Sequence, residues 1–292
     1  TVSRVQDVVA MRSVLPSGAE DHRDFPGIMI DRARFDQGLA ESARAAGAEI
    51  RTHTSFRGWN GERALLEQDG RTWSISARFL VGADGPHSAV ALALGLATQP
   101  VVQTRQYTVE LRTPYADTDI FLSDDFPGGY AWLFPRGPVA NLGLGADRRF
   151  ADNLKIPLDA LHRQMQERGL VGSEILGRTG GGIPVGGIRP LVHPRALLVG
   201  DAAGLTHPIT GAGIPAAVIS GFAAGTAVAD FLTGDDEALE SYAEDMHDQF
   251  GPALERALRR RRSLEAVWHT PAAADDRVMR SSWIAFEEYF AA

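Results

Sequence analysis

Two runs of small and acidic residues carry the first chemical signal. One is Val81-Gly82-Ala83-Asp84-Gly85-Pro86-His87-Ser88. The other is Val199-Gly200-Asp201-Ala202-Ala203-Gly204-Leu205-Thr206-His207-Pro208-Ile209-Thr210-Gly211-Ala212-Gly213-Ile214. In each, an apolar strand runs into an aspartate beside glycine and then into a helix. That is how α/β proteins present a ligand site at the carboxyl edge of a sheet. Either run alone is an ordinary turn, in which the aspartate serves as a plain helix cap and the glycines mark a tight packing corner. A third signal lies between them, in Phe126-Pro127-Gly128-Gly129-Tyr130-Ala131-Trp132-Leu133-Phe134-Pro135. On a strand, Tyr130, Trp132 and Phe134 share one face, where they either line an apolar pocket or fill a core. Gly180-Gly181-Gly182 is no phosphate loop, because no Gly-Lys-Ser/Thr follows it. Histidine and carboxylate spacing marks no metal site.

The elements that position these residues follow from apolar periodicity. Phe25 to Ile30 reads as a strand, and Asp31 caps a helix whose stripe is Phe35, Leu39, Ala43 and Ala46, stopped by Gly47. Glu49 to Trp59, Ala64 to Gln68 and Thr72 to Val81 form a β meander turned by Asn60-Gly61 and Asp69-Gly70. A short helix runs to about Leu94. Strand-like segments fill 99–145, with Gln106 to Arg112 and Tyr130 to Phe134 alternating. Leu158, Leu161 and Met165 mark a helix from Leu154 to Arg168; Gly180 to Pro184 is a loop or bulge. Arg195 to Gly200 is a buried strand, a long helix begins at Gly213, and the last sixty residues are charged and helical in pattern.

The 292 residues suffice for about two domains. Hydrophobic residues at 44% and charged residues at 23% exclude extensive disorder. A net charge of -8 disfavours nucleic acid as a partner. Cys 0 excludes disulfides, thiolate metal sites and a cysteine nucleophile, and fits a reducing compartment. Arg4, Asp7 and Arg12 interrupt the opening stretch, so no signal peptide is expected there. Gly211 to Ala229 carries no charge, but its many small residues suit a closely packed helix better than a membrane span. Arg256, Arg259, Arg260, Arg261 and Arg262 read as a solvated helix face beside Glu255 and Glu265, with contact to anionic lipid as the alternative.

In this order and about a hundred residues apart, the two aspartate-glycine runs resemble the second and third signatures of FAD-dependent oxidoreductases of the aromatic-hydroxylase superfamily, which includes the geranylgeranyl reductase family. The resemblance implies bound FAD, with Asp84, Gly85, Gly200, Asp201, Ala202, Pro208, Gly211, Gly213 and Ile214 around it. Asp201 would accept hydrogen bonds from the ribityl hydroxyls, and the glycines would let backbone approach a flat ring. The helix start near Ile214 would face the negative charge of reduced flavin, and Pro215 suits a first helical turn. Arg32, in Ile30-Asp31-Arg32-Ala33-Arg34-Phe35-Asp36-Gln37-Gly38-Leu39, resembles the superfamily arginine facing the FAD diphosphate; a solvated surface arginine is the other reading. No Gly-x-Gly-x-x-Gly run precedes Arg32, where the only glycines are Gly18 and Gly27. With Thr1 as first residue, the expectation is an FAD domain that has lost its N-terminal part. Ala91 stands where the family often has arginine, which weakens pyridine-nucleotide docking at that turn.

The aromatic run is similar to the Tyr-x-Trp-x-Phe-Pro signature of geranylgeranyl reductases, which makes Tyr130, Trp132 and Phe134 the expected substrate wall. Flavin-dependent halogenases carry a related run, so a monooxygenase or halogenase of an aromatic substrate is the rival. The segment Trp268 to Phe290, including Ser282 to Tyr289, looks like the helical tail of reductase-like members, or is an amphipathic helix of no special role. The fold class expected is α/β. It comprises an incomplete Rossmann-like FAD domain (1–98 and 181–232), an inserted α+β substrate domain with an antiparallel sheet (99–180) and a helical C-terminal region (233–292). The reaction expected is hydride transfer from reduced flavin to a carbon–carbon double bond of an isoprenoid or similar hydrophobic substrate. Electrons would come from NAD(P)H or another reductant. No catalytic residue is assigned. Tyr130, His207 and solvent are candidate proton donors, and His207 reads better as a polar loop residue. A cytoplasmic location is expected, with peripheral membrane contact through a polyprenyl-lipid substrate.

Overall fold

The computed structural model describes residues 3–268 and 270–291. In chain order the first elements are β1 (Arg4–Val14), β2 (Glu20–Ile30), α1 (Arg32–Ala45), β3 (Ser55–Trp59), β4 (Arg63–Gln68), β5 (Arg71–Ser76), β6 (Leu80–Gly82) and α2 (Ala89–Ala93). Next come β7 (Val101–Leu111), β8 (Thr118–Phe121), β9 (Ala131–Arg136), β10 (Val139–Asp147), α3 (Lys155–Glu167), β11 (Val171–Thr179) and β12 (Gly182–Pro184). The chain closes with β13 (Val192–His193), β14 (Ala196–Leu198), α4 (Ile214–Thr233), α5 (Ala238–Glu265), α6 (Asp276–Ser282) and α7 (Glu287–Phe290). It divides into two compact units: Thr1–Ile50 with Val102–Gly181 and Ser263–Ala292, and Arg51–Val101 with Gly182–Arg262.

The first unit is built on a sheet in the order β11-β7-β10-β9-β8-β1-β2, antiparallel except for the parallel pair β1–β8. One face of the sheet (Tyr107, Val109, Leu133, Leu142, Leu144) packs with Leu158, Leu161 and Met165, the stripe expected for α3. Alternation along β9 and β10 puts Trp132 and its neighbour Gly143 on the other face. β1 has no counterpart in the sequence reading. A bulge between Val8 and Ala10 breaks its alternation, so Val8, Ala10 and Met11 are buried while Val5 and Val9 are exposed. α1 begins as expected, with Asp31 accepting from the Arg34 N–H, and Gly47 follows it at φ +96°. None of its residues is fully buried: along the stripe Phe35 and Ala43 are half-buried and Leu39 is exposed.

In the second unit a small sheet, β13-β14-β6, pairs β14 and β6 in parallel with Val81 opposite Leu197. Beside it, β3-β4-β5 form the expected meander. Asn60 accepts from the Glu62 and Arg63 N–H groups, and Gly61, Asp69 and Gly70 all take positive φ. Strand structure in 49–59 is confined to β3, and Gly182 to Pro184, expected as a loop or bulge, is a short strand. By length and composition α4 is apolar enough to cross a membrane. Its small residues Ala216, Ser220, Ala224 and Ala227 are buried on one face, three of them joining Leu197, Leu198 and Tyr242 in the core. Phe222 is 69% exposed.

These units cut the chain differently from the boundaries the sequence suggests. Residues 3–50 belong with the aromatic strand because β1 pairs with β8. Residues 233–262 belong with the aspartate-glycine turns because α5 packs on β14, where the Tyr242 hydroxyl donates to the Leu198 carbonyl at 2.8 Å.

Candidate active site

Parallel pairing of β6 and β14 brings both aspartate-glycine turns to the same edge of the second unit's small sheet. After β6, Gly85 turns the chain at φ +80°. The Asp84 carboxylate accepts from the Ser88 hydroxyl and, at 3.0 Å, from the Val90 N–H, while Ser88 caps α2 through the Ala91 N–H. Asp84 is thus engaged within its own turn, as a capping residue would be. After β14, Gly200 enters a 3-10 turn at φ +52°, and its N–H donates 3.0 Å to the buried Ser220 hydroxyl of α4. Asp201 Oδ1 accepts from the Thr206 hydroxyl, and Ala202 and Pro208 are buried.

The glycines of the second turn are explained by the loop's own packing. A Cβ on Gly213 would stand 2.8 Å from Thr206 Oγ1 and 3.1 Å from Asp201 Oδ1. Gly211, at φ +69°, lies where a Cβ would meet Ile183 at 3.1 Å. His207 organises the loop: its Nδ1 accepts from the Thr210 N–H at 3.2 Å, its N–H donates to the Ala212 carbonyl, and its carbonyl accepts from Gly211. Burial lowers the His207 pKa to about 4, so the ring is neutral near pH 7 and keeps Nδ1 as an acceptor. A neutral ring bonded in this way is a loop residue and not a ready acid.

Two further residues hold this edge together, neither of which the sequence assigned to the site. The Gln99 side-chain amide donates to the Pro86 carbonyl at 3.1 Å and to the Asp201 carbonyl at 2.8 Å, tying one turn to the other. No local pattern could have found it, since the role exists only once the turns are side by side. Arg261 stands in the basic run expected to be solvated. It is instead 2% exposed and donates to the Pro208 carbonyl at 3.3 Å. The period of α5 turns this one arginine inward, while Arg259 and Arg262 remain exposed.

The donors and acceptors left over fit FAD. No side chain caps α4, so the first-turn N–H groups past Gly213 are available to an anionic or carbonyl edge. Asp201 Oδ2 has no partner among the described residues, which suits a ribityl hydroxyl. The buried Gln99 Oε1 also lacks a partner and can accept one more hydrogen bond.

The aromatic strand belongs to the first unit. Tyr130 and Trp132 meet edge to face at 5.6 Å, and Trp132 stacks on Phe134 at 5.9 Å. The Trp132 indole lies flat over Gly143, where a Cβ would stand 2.5 Å from Cζ2, and its N–H donates to Gln106 Oε1 at 3.2 Å. Trp132 is 8% exposed, so part of the stripe is core, while Phe134 and Tyr130 are half-buried. From the C-terminal segment, Trp283 packs on Tyr130 at 4.9 Å, which gives that segment a definite contact. Burial pushes the Tyr130 phenol pKa up, so it holds its proton throughout the physiological range. Arg32 also lies in this unit, exposed and paired with Asp36 at 3.1 Å.

Comparison with known proteins places this geometry in a lineage. Residues 26–124 match the model of an FAD binding domain. A digeranylgeranylglycerophospholipid reductase 2 from Methanopyrus kandleri is 30% identical over 274 residues, covering 84% of this chain and 67% of the relative. The chain belongs to the geranylgeranyl reductase family of FAD-dependent oxidoreductases. Another member, the digeranylgeranylglycerophospholipid reductase of Methanosarcina acetivorans, is 33% identical over 234 residues, 75% of this chain. This chain spans 57% of the length of that relative. In fold, the chain resembles the geranylgeranyl bacteriochlorophyll reductase-like protein of Thermoplasma acidophilum. The TM-score is 0.81 at 24% identity, over 96% of this chain and 76% of the other. The mixed α/β architecture expected from the sequence is that of the family.

Proposed function

We propose that this protein reduces carbon–carbon double bonds in an isoprenoid or similarly hydrophobic substrate, as an FAD-dependent oxidoreductase. The observation that carries the reading is the set of unsatisfied groups at one sheet edge: the uncapped α4 terminus, Asp201 Oδ2 and Gln99 Oε1. The names of relatives about 30% identical support a geranylgeranyl-type substrate. When bound, reduced FAD supplies the hydride. In this reading Asp201 and Gln99 hold the cofactor's hydroxyls and the α4 N–H groups favour its reduced, negatively charged form. His207 keeps the loop in shape. Tyr130, Trp132 and Phe134 give the prenyl chain an apolar surface and keep water from it. The Tyr130 phenol, held protonated, donates a hydrogen bond, and solvent delivers the one proton needed at the other carbon. Asp84, Gly85 and Arg32 belong to the proposed cofactor environment on the family pattern alone. NAD(P)H or another reductant supplies electrons, and the work is done in the cytoplasm or at the membrane surface.

The test is anaerobic. The FAD-loaded protein is photoreduced and mixed with a geranylgeranyl lipid and, separately, with oxygen. Flavin reoxidation by the lipid, with saturated product, is the expected result. Reoxidation by oxygen alone, with the lipid returned unchanged, would replace this reading with a monooxygenase or halogenase.

A further inference from the structure

The first unit holds a cleft of about 580 Å³ between β7, the end of β11 and the start of α3. Its wall includes Arg105, Arg148 and Arg178, with Thr104, Asn153 and Asp152. In a chain with 37 acids and a net charge of -8, three arginines here face one aspartate. Some arginines elsewhere are paired: Arg12 with Asp119, Arg149 with Asp147 and Glu265, and Arg280 with Glu288. Among the described residues, Arg105, Arg148 and Arg178 form no ion pair and no side-chain hydrogen bond. Arg178 only rests over the Tyr107 ring, at 5.8 Å. The nearby acid Asp159, bonded to Lys155 and to the Tyr107 hydroxyl, also feels the charge of Arg105 and offsets it in part.

Like charges gathered in one cleft repel, and with Asp152 on the wall and Asp159 near Arg105 offsetting them only in part, an added anion is favoured. Guanidinium groups bind phosphate oxygens in pairs, and three of them offer more donors than a single phosphate can use. The Asn153 side-chain amide, whose oxygen accepts from the Lys155 N–H, adds its N–H groups as neutral donors. The volume lies within the range of small-molecule sites. We propose that this cleft binds the diphosphate or phosphodiester group of a phosphate ester. Two sources share that chemistry: the head group of a prenyl lipid, and the diphosphate of a nicotinamide electron donor. The assignment stands apart from the reaction proposed above, because phosphate binding here requires no turnover.

Isothermal titration of the protein with inorganic diphosphate at low salt tests it, comparing wild type with R105Q/R178Q. Arg277→Gln, which alters an exposed arginine paired with Asp275, is the control. The double variant should weaken binding by about tenfold or more, with the control unchanged and wild-type affinity falling as salt rises. Arg148→Gln, at an exposed position, repeats the comparison if the double variant does not fold. Geranylgeranyl diphosphate and NADPH are then titrated with and without excess inorganic diphosphate. Displacement of the first identifies a lipid head group, and displacement of the second identifies the electron donor. Equal affinity in variant and wild type, absence of diphosphate binding, or displacement of neither ligand would overturn the proposal.

Discussion

Asp201 Oδ1 is held by Thr206, which fixes the direction in which Oδ2 faces, and in the proposed reading Oδ2 takes the cofactor's hydroxyls. Asp201→Ala should therefore lower FAD occupancy by about tenfold or more, read from flavin absorbance of purified protein. Unchanged occupancy would remove the aspartate from the cofactor's sugar-alcohol chain. His207 makes a second prediction, in pH. Its folded-state pKa of about 4 lies below the ordinary 6.5, so between these values the unfolded chain takes up a proton that the folded chain refuses. Stability is complete above pH 6.5 and declines as pH falls toward 4, by at most about 3 kcal/mol. His207→Asn, which keeps an acceptor near Nδ1, should flatten this slope in urea titrations between pH 7.5 and pH 4.5. At this scale the sequence was legible where chemistry is local, as in the two aspartate-glycine runs. It was silent on Gln99, whose two carbonyl partners belong to residues 13 and 102 positions away.

Among the elements, α4 shows how a helix of small residues is fastened. Ser220 takes the Gly200 N–H, and the alanines on the same face let the helix lie close to the 3-10 turn and β14. Ser220→Ala leaves that N–H buried without an acceptor, at a cost of about 1–2 kcal/mol. Chemical denaturation should show the loss, with FAD affinity falling too because Gly200 leads into Asp201. Helices with clear stripes, such as α3, were legible from spacing alone, and the hairpin turns from their Asn-Gly and Asp-Gly pairs. β1 was not: its bulge shifts the alternation midway, and a period-2 reading loses the pattern there. The inward turn of Arg261 was hidden for a different reason. A run of basic residues looks solvated until the helix phase is known.

Over the whole molecule, the first unit's sheet draws strands from distant parts of the chain. β1 pairs with β8 across more than a hundred residues, and a buried ion pair sits at that junction. Arg12 grips Asp119 with two nitrogens, Tyr115 donates to the same carboxylate, and Asp119 is fully buried. The contact raises the Arg12 pKa chiefly through its hydrogen bond to Asp119, so the guanidinium stays charged. Asp119→Asn removes the buried counterion and leaves Arg12 only the partly exposed Glu20 at 3.1 Å, which should destabilise the unit by about 3 kcal/mol. Thermal unfolding followed by far-UV circular dichroism checks this. Loss below about 1 kcal/mol would mean that water already reaches the pair. Long-range pairing of this kind is why the spatial units do not follow the boundaries suggested by composition.

The indole lying over Gly143 has an evolutionary corollary. With no room for even one carbon between them, positions 132 and 143 cannot drift independently: a mutational scan should find every replacement at 143 depleted while tryptophan stands opposite. Shortening 132 to leucine or alanine should restore tolerance only in part, because the added carbon would still stand 2.9 Å from the Arg105 carbonyl oxygen.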